Sequence, residues 1–281
     1  MESDIGSWTS GDMGVRIGTP EILHILKKHQ AQATFLFTGR EARNHPKIVR
    51  KILSDGHEIG CHTMYHESIG TAVFDMPGAN FVLESEIKNR LALATRTVAK
   101  VAGCKLVSFR APRLFGSAAM INALEELGYL VDSSFPAYFY GRDFSPYNPS
   151  RRDWAKNGRS KILELPVFYD TDVKPGNKTH RQRDQWPMLR LKGAKMFSDL
   201  CLRMIGKAKT QKGHSLLCIY LHPWEFVPMS KVIVTDEAKI SFKPFLYKNC
   251  GPAALNALDA FVGQMKEDGL EFRTMRDVVY L

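Results

Sequence analysis

Short apolar runs and longer segments with helical periodicity alternate along most of the chain. A short apolar run bounded by turn residues is typical of a buried strand, and apolar positions three and four residues apart are typical of an amphipathic helix. The pattern predicts strands at 33–37, 58–61, 106–109, 129–131, 161–165 and 216–221, with a weaker candidate at 270–272. It predicts helices at 19–26, 46–55, 84–101, 117–127 and 251–266, the first with Thr19 as N-cap and Pro20 at its first position.

Strand and helix follow one another about seven times, which implies a parallel α/β sheet, either doubly wound or closed into a barrel. No Gly/Ser-rich linker divides the chain, so a single domain is expected. Residues 135–161 are rich in Pro, Tyr, Phe and Arg and lack a helical period. We interpret them as a long loop over one end of the sheet.

The composition excludes several classes of protein. With 44% hydrophobic and 10% aromatic residues among 281, the chain can bury a large core and is not intrinsically disordered. Five cysteines without a CxxC spacing predict free thiols rather than a disulfide scaffold. No apolar run reaches the roughly 18 residues of a membrane span, and the residues after Met1 show no signal-peptide pattern. A cytoplasmic location is therefore expected.

The chain is basic, with 39 Lys and Arg against 29 Asp and Glu and a net charge of +10. No nucleic-acid-binding motif accompanies this charge, so nucleic acid is not expected as a partner. Seven of the basic residues lie in 189–212 beside an apolar stripe. Two interpretations of this segment stay open: a barrel helix with a solvated basic face, or a helix in contact with the anionic cytoplasmic face of a membrane.

A pair of histidines follows the predicted strand at 58–61. His62 and His66 are four residues apart, which places both imidazoles on one face if the segment forms a helical turn. Imidazole nitrogens are ligands that suit Zn²⁺ and similar divalent ions. Since a parallel barrel collects its active site at the carboxyl ends of its strands, the pair predicts a metal site.

Other predicted strand ends also carry polar groups. Glu2 and Asp4 stand at the start of the chain, Arg110 follows the strand at 106–109, and 132–134 reads Asp-Ser-Ser. The run 222–225 reads His-Pro-Trp-Glu and follows the strand at 216–221. Groups placed only for stability would be scattered over both ends of the sheet, so this distribution predicts a functional site at one end.

In this order, the motifs resemble the polysaccharide deacetylases with NodB-like homology (carbohydrate esterase family 4). The resemblance covers nearly the whole chain and implies one domain over 1–281, a distorted (β/α)7-type, TIM-like barrel. It implies a metal-dependent hydrolase that removes an N-acetyl group from an amino sugar in a glycan, a polysaccharide or a lipid-linked sugar. The implied cofactor is a divalent metal, with Zn²⁺ preferred and Co²⁺, Mn²⁺ or Ni²⁺ as alternatives.

The resemblance also assigns roles to residues. Asp4, His62 and His66 match the metal ligands of the family. Arg110 matches the arginine that orients the catalytic base, and His222 matches the general acid. The predicted substrate contacts are Trp8, which would stack on a sugar, Pro112, Ser133 and Trp224.

The catalytic base is the point at which the chain departs from the family. There the base is an aspartate just before the metal-binding aspartate, at the end of an apolar first strand, whereas here Glu2 is the carboxylate upstream of Asp4. Either Glu2 is the base, or the native chain starts upstream of Met1. Two other functions stay open: a deformylase or other non-peptide amide hydrolase on the same barrel, and an impaired glycan-binding relative. The sequence indicates no oligomeric state.

Overall fold

The computed structural model describes residues 12–74, 81–176, 180–234 and 239–281. The strands are β1 (Thr34–Phe37), β2 (Glu58–Cys61), β3 (Ser108–Phe109), β4 (Val131–Asp132), β5 (Leu163–Glu164), β6 (Val232–Val234) and β7 (Lys239–Ser241). In chain order, the α-helices begin with α1 (Thr19–Lys28), α2 (Gly39–Asn44), α3 (Pro46–Ser54), α4 (Ile87–Ala102) and α5 (Ala118–Glu126). They are followed by α6 (Ala137–Tyr140), α7 (Met188–Lys192), α8 (Ala194–Ile205), α9 (Pro244–Tyr247), α10 (Pro252–Glu267) and α11 (Met275–Val278). Within these ranges, no helix has the length and apolar character needed to cross a bilayer.

Five strands form a parallel sheet in the order β1-β2-β3-β4-β5, as the alternation of strand and helix predicts. Beyond β5, Val167 makes a parallel bridge to Cys218, so the segment predicted as a strand at 216–221 extends the sheet through a single bridge. The candidate at 270–272 forms no strand. This segment leads instead into α11, whose Met275 N–H donates to Thr34 Oγ1 (2.8 Å).

Local signals account for most helix ends. The Ser117 hydroxyl caps α5 by accepting from the Met120 N–H (3.1 Å). The prediction that Thr19 caps α1 is wrong, because a π-helical turn over Gly14–Gly18 runs directly into the helix. Gly18 also touches the far end of the chain: a Cβ there would lie 2.2 Å from the Pro223 carbonyl oxygen. Only glycine allows this approach of the two backbones.

The core lies between the sheet and its helices. Phe37, Ile59 and Phe109 project from β1, β2 and β3 and are fully buried. The predicted long loop is largely irregular apart from α6, and it contributes Phe135 and Trp154, whose rings meet edge to face at 5.2 Å. The five cysteines are free thiols, as predicted.

The basic segment 189–212 forms two helices, α7 and α8. Phe197, Leu200 and Met204 of its apolar stripe are buried, although Met196 is exposed. Two of its basic residues pair with acids, Arg203 with Asp170 (3.4 Å) and Lys207 with Asp172 (3.2 Å). Arg190 is itself buried. These pairings favour the interpretation as a barrel helix.

Gly60→Ala should destabilise the sheet. A Cβ on Gly60 would lie 2.6 Å from the Ser108 carbonyl oxygen and 2.7 Å from Leu36 Cδ2, and the neighbouring strand backbone cannot yield. We expect the free energy of unfolding to fall by about 1–3 kcal/mol, measured by urea denaturation. Gly206→Ala is the control, since no neighbouring atom lies within 4 Å of its Cβ. Equal stability of the two variants would contradict the close approach of β2 and β3.

Candidate active site

Backbone hydrogen bonds fix the first residue beyond each strand. The His62 N–H donates to the Phe37 carbonyl (2.8 Å) and the Arg110 N–H donates to the Cys61 carbonyl (3.1 Å). In the same way, the Ser133 N–H donates to the Phe109 carbonyl (3.0 Å). The parallel register therefore brings His62, Arg110 and Ser133 side by side at the carboxyl edge of the sheet, where the sequence predicts the site.

The two histidines of the predicted metal site lie together, but not on a helix. Residues 62–67 form an irregular loop in which Thr63 (φ 64°) and His66 (φ 63°) take left-handed backbone angles. The predicted helical turn is therefore wrong, although the two imidazole centroids are only 4.9 Å apart.

His62 is held in a form that suits a metal ligand. Its Nδ1 lies 2.7 Å from the Arg110 carbonyl oxygen, which can only accept, so Nδ1 carries the proton and Nε2 keeps its lone pair. Burial, with a contribution from the neighbouring His66, holds the pKa of His62 well below its usual value. The imidazole is therefore neutral, as metal binding requires.

Arg110 lies across the centre of the site. Its Nε donates to the Ser133 carbonyl (2.6 Å) and its Nη2 donates to the Ser133 hydroxyl (2.6 Å). The same Nη2 lies 3.2 Å from Cys218 Sγ, and the guanidinium lies over the Tyr220 ring, 5.4 Å from its centroid. These contacts fix the cation at the carboxyl ends of β3 and β4.

A buried pair of carboxyl groups lies beneath this layer. Asp132 and Glu164 face each other in the register of β4 and β5, and neither side chain is exposed. Burial raises the pKa of Asp132 to about 6, and burial together with the Asp132 charge raises the pKa of Glu164 well above its usual value. Oε1 of Glu164 accepts from the Ser134 and Phe135 backbone N–H groups (3.0 and 2.9 Å), and Oδ1 of Asp132 accepts from the Ser134 hydroxyl (2.6 Å). Two buried carboxyl groups side by side cannot both ionise readily, so we expect them to share one proton.

His222 stands on the opposite wall. It precedes a short 3₁₀ turn, Pro223–Phe226, and its ring stacks on Trp224 with 5.8 Å between centroids. The Trp186 ring meets it edge to face at 5.2 Å. Its Nδ1 lies 3.2 Å from Glu225 Oε1.

A cavity of about 1180 Å³ connects these groups. His62, His66, Arg110 and His222 line it at the carboxyl edge of the sheet. Apolar side chains line the rest: Leu26, Phe35, Leu217, Leu258, Phe261 and Phe272. The cavity lies between β1 and the segment 216–221, and in the described part of the chain no strand pairs with the outer edge of β1.

The remaining predicted residues divide into two groups. Glu2, Asp4 and Trp8 lie outside the described residues. Pro112, Ser133 and Trp224, predicted to contact substrate, are buried. The Ser133 hydroxyl is engaged by Arg110 and donates to the Leu165 carbonyl (2.7 Å). Ser133 thus holds Arg110 in place, whereas Trp224 stacks on His222 and also lines the cavity; contact of these residues with substrate stays a prediction.

Sequence reasoning missed Trp186 and Arg190. Both bind Glu225 and thereby adjoin the site. Arg190 was grouped with the solvated basic residues, and α7 is too short, at five residues, for its periodicity to reveal a buried arginine. The Trp-Pro step at 186–187 was the available signal, since the residue before a proline is biased away from the helical region and so marks a segment boundary.

Comparison with known proteins indicates what this chain is similar to. Residues 8–131, less than half of the chain, match the family model of polysaccharide deacetylase. Members of the matched family generally depend on a divalent metal, and His62 and His66 lie within the matched range.

Two curated relatives illustrate the similarity. The chain is 40% identical over 74 residues to a peptidoglycan-N-acetylglucosamine deacetylase of Bacillus cereus, covering 26% of this chain and 27% of that one. It is 39% identical over 159 residues to a chitooligosaccharide deacetylase of Sinorhizobium fredii, covering 57% of this chain and 62% of the relative. The matches thus span less than two-thirds of each relative's length.

Solved structures confirm the fold of this chain as the predicted distorted (β/α) barrel. PuuE allantoinase has a TM-score of 0.57 at 19% identity, covering 96% of this chain and 73% of that one. BA3943 of Bacillus anthracis, a CE4 family pseudoenzyme, has a TM-score of 0.54 at 15% identity, covering 94% and 61%. At these identities the likeness concerns the fold alone.

Glu164→Gln should flatten the dependence of stability on pH. The native state keeps a proton that the unfolded chain releases above its ordinary carboxyl pKa, so the stability from this pair is complete at low pH and is lost as pH rises through the raised pKa. Glutamine can still donate to Asp132 but has no proton to lose. We expect a smaller fall in urea midpoint between pH 5 and pH 8 than in the parent protein.

The control is Glu126→Gln, at an exposed position on α5 paired with Lys88. It should keep the parent pH dependence. An identical pH dependence in the parent protein and in Glu164→Gln would show that the two carboxyl groups do not share a proton.

Proposed function

We propose that this protein is a metal-dependent hydrolase that removes the N-acetyl group from an amino sugar within a glycan. The observation that carries the proposal is the meeting in one cavity of a paired-histidine loop (His62 and His66), a fixed arginine (Arg110) and a carboxylate-bound histidine (His222). Peptidoglycan and chitooligosaccharide deacetylases among the relatives support an N-acetylated glycan as the substrate.

The histidine pair supports a divalent metal, although the described part of the chain holds no group of three or more side chains that could ligate one. The Arg110 carbonyl orients His62 so that Nε2 is its lone-pair nitrogen, and the His66 ring lies beside it. With Asp4, this pair would complete a set of two nitrogens and one oxygen, for which Zn²⁺ is the preferred ion and Co²⁺, Mn²⁺ or Ni²⁺ the alternatives. When bound, such an ion polarises a carbonyl group and lowers the pKa of water to about 7.

Amide hydrolysis also needs a proton for the departing nitrogen. His222 lines the same cavity and can supply it, because an imidazole can act as a general acid when it is held within reach of the leaving group. Arg110 would hold a catalytic carboxylate ionised through a charge-assisted contact. Its hydrogen-bond partners among the described residues are Ser133 and Cys218, so that carboxylate comes from outside this set.

A glycan-binding relative without activity and an amide hydrolase of another class are the competing functions. The fold does not distinguish these functions, because an allantoinase and a CE4 family pseudoenzyme both have this barrel. The distinction therefore depends on chemistry at the site and must be measured as product release.

We expect acetate release from N-acetylglucosamine oligomers by the metal-loaded protein. His222→Gln should lower kcat by about 100-fold or more, because it removes the proton donor for the leaving amine. His24→Gln, at an exposed position on α1, should leave the rate unchanged. Formate release from N-formyl sugars with no acetate release would favour the deformylase, and no release of either would favour a binding protein.

The metal site is tested without activity. His62→Ala and His66→Ala should each lower the bound zinc, measured by mass spectrometry of the purified protein after dialysis against a metal buffer. His24→Ala should bind as much as the parent protein. Parent-like zinc content in both His62→Ala and His66→Ala would overturn the assignment of this pair.

The identity of the base needs its own comparison. If Glu2 is the base, Glu2→Gln should abolish acetate release while zinc content stays at the parent level. If the base lies upstream of Met1, Glu2→Gln should have no effect and a chain extended at this end should be the more active form.

A further inference from the structure

The carboxylate of Glu225 is held by several donors. Its Oε1 accepts from the His222 backbone N–H (2.9 Å), from the Trp186 indole N–H (2.8 Å) and from His222 Nδ1 (3.2 Å). Its Oε2 accepts from Arg190 Nε (3.0 Å). Because each oxygen has a defined donor, the carboxylate cannot rotate away from the imidazole.

This carboxylate stays ionised in the interior. The side chains of Glu225 and Arg190 are each only 2% exposed. Burial alone would raise the pKa of Glu225, but the hydrogen bond and charge of His222 together with Arg190 hold that pKa below its usual value. An ionised acceptor at Nδ1 fixes the proton of a neutral imidazole on that nitrogen and stabilises the imidazolium form.

Arg190 connects Glu225 to a segment that lines the cavity. Its guanidinium donates to the Phe245 carbonyl (2.9 Å) and to the Lys248 carbonyl, and its own carbonyl accepts from Asn249 Nδ2 (3.1 Å). Phe245 lines the cavity together with His222. One buried arginine thus joins the partner of His222 to the segment 245–249.

We propose that Glu225 is the positioning residue of the general acid and that Arg190 ties it to the substrate-facing segment 245–249. Glu225 holds His222 with its proton on Nδ1, so that Nε2 is the nitrogen presented to the cavity. The inference rests on the proposed function, which makes His222 the proton donor.

The proton balance is simple. In the protonated imidazole, Nε2–H passes its proton to the sugar nitrogen as the carbon–nitrogen bond breaks, and water supplies the oxygen of the released acetate. The imidazole that remains is neutral and keeps its Nδ1 proton on Glu225. Without the carboxylate, the imidazolium form is less stable and fewer molecules hold the donated proton at alkaline pH.

Other charged groups near His222 do not account for this arrangement. Asp184 interacts with His222, but its carboxylate accepts from the Tyr220 hydroxyl (2.7 Å) and has the Arg181 guanidinium at 3.6 Å. It has no hydrogen bond to the imidazole in the described contacts. Because Asp184 and Arg181 stay unchanged in the variants below, they form a constant background.

Glu225→Gln tests the positioning of the acid. We expect kcat to fall by about 10- to 100-fold with little change in KM, and the alkaline limb of the kcat/KM profile to move to lower pH. Nitrogen NMR of labelled histidine supplies a readout without substrate: the His222 signals should titrate at lower pH than in the parent protein. Glu125→Gln, which loses a similar glutamate–arginine pair with Arg151 far from the cavity, is the matched control.

The outcomes separate the two hypotheses. If no protein releases acetate but the His222 signals shift in Glu225→Gln alone, the positioning role stands and the proposed function fails. If acetate release is lowered while the pH limb and the His222 signals match the parent protein, Glu225 is only structural and the inference is overturned.

Arg190→Lys tests the second half of the proposal. Lysine keeps the positive charge beside Glu225 but cannot reach two backbone carbonyls with one planar group. We expect KM for the oligosaccharide to rise several-fold while the alkaline limb stays in place. An unchanged KM in folded Arg190→Lys protein would show that the segment 245–249 does not depend on this arginine.

Discussion

The register of one parallel sheet is the constraint on which the rest of the structure depends. Cys61, Phe109 and Asp132 are paired in a row across β2, β3 and β4. The next residues, His62 and Arg110, each donate a backbone N–H to the preceding strand, so neither can shift along the sheet. A shift of one residue would turn every side chain of that strand to the opposite face. The positions of the side chains at this edge are therefore as fixed as the strand pairing beneath them.

Two environments give buried carboxyl groups opposite states within this fold. Asp132 and Glu164 have each other as neighbours, so burial favours a pair that keeps one proton between its two carboxyl groups. Glu225 is as deeply buried, but Arg190 and His222 oppose the cost of desolvation and keep it charged. The protonation states differ because the neighbouring charges differ. The carboxylate that stays ionised is that of Glu225, which contacts His222 at the cavity.

The sequence predicted the five strands of the parallel sheet, most of the long helices and the edge at which polar residues gather, because these follow from periodicity and from the geometry of parallel sheets. It did not predict β6 and β7, and its candidate strand at 270–272 does not form. It placed His62 and His66 together for the wrong reason: a helical turn was expected, and two left-handed residues in a loop bring the rings together instead. Arg190 escaped prediction because its role depends on Glu225, which is 35 positions away. Periodicity describes one segment at a time, whereas such contacts arise only when segments pack.

The contact between Gly18 and Pro223 has a consequence for the order of folding. Gly18 packs against the turn that follows His222, and these two positions are separated by most of the sequence. Contacts between residues that are far apart in sequence form late, because closing the long loop between them costs conformational entropy. The pairing of β1 with β2 joins segments that are close in sequence, whereas the wall that carries His222 can dock on Gly18 only after the residues around 223 are in place.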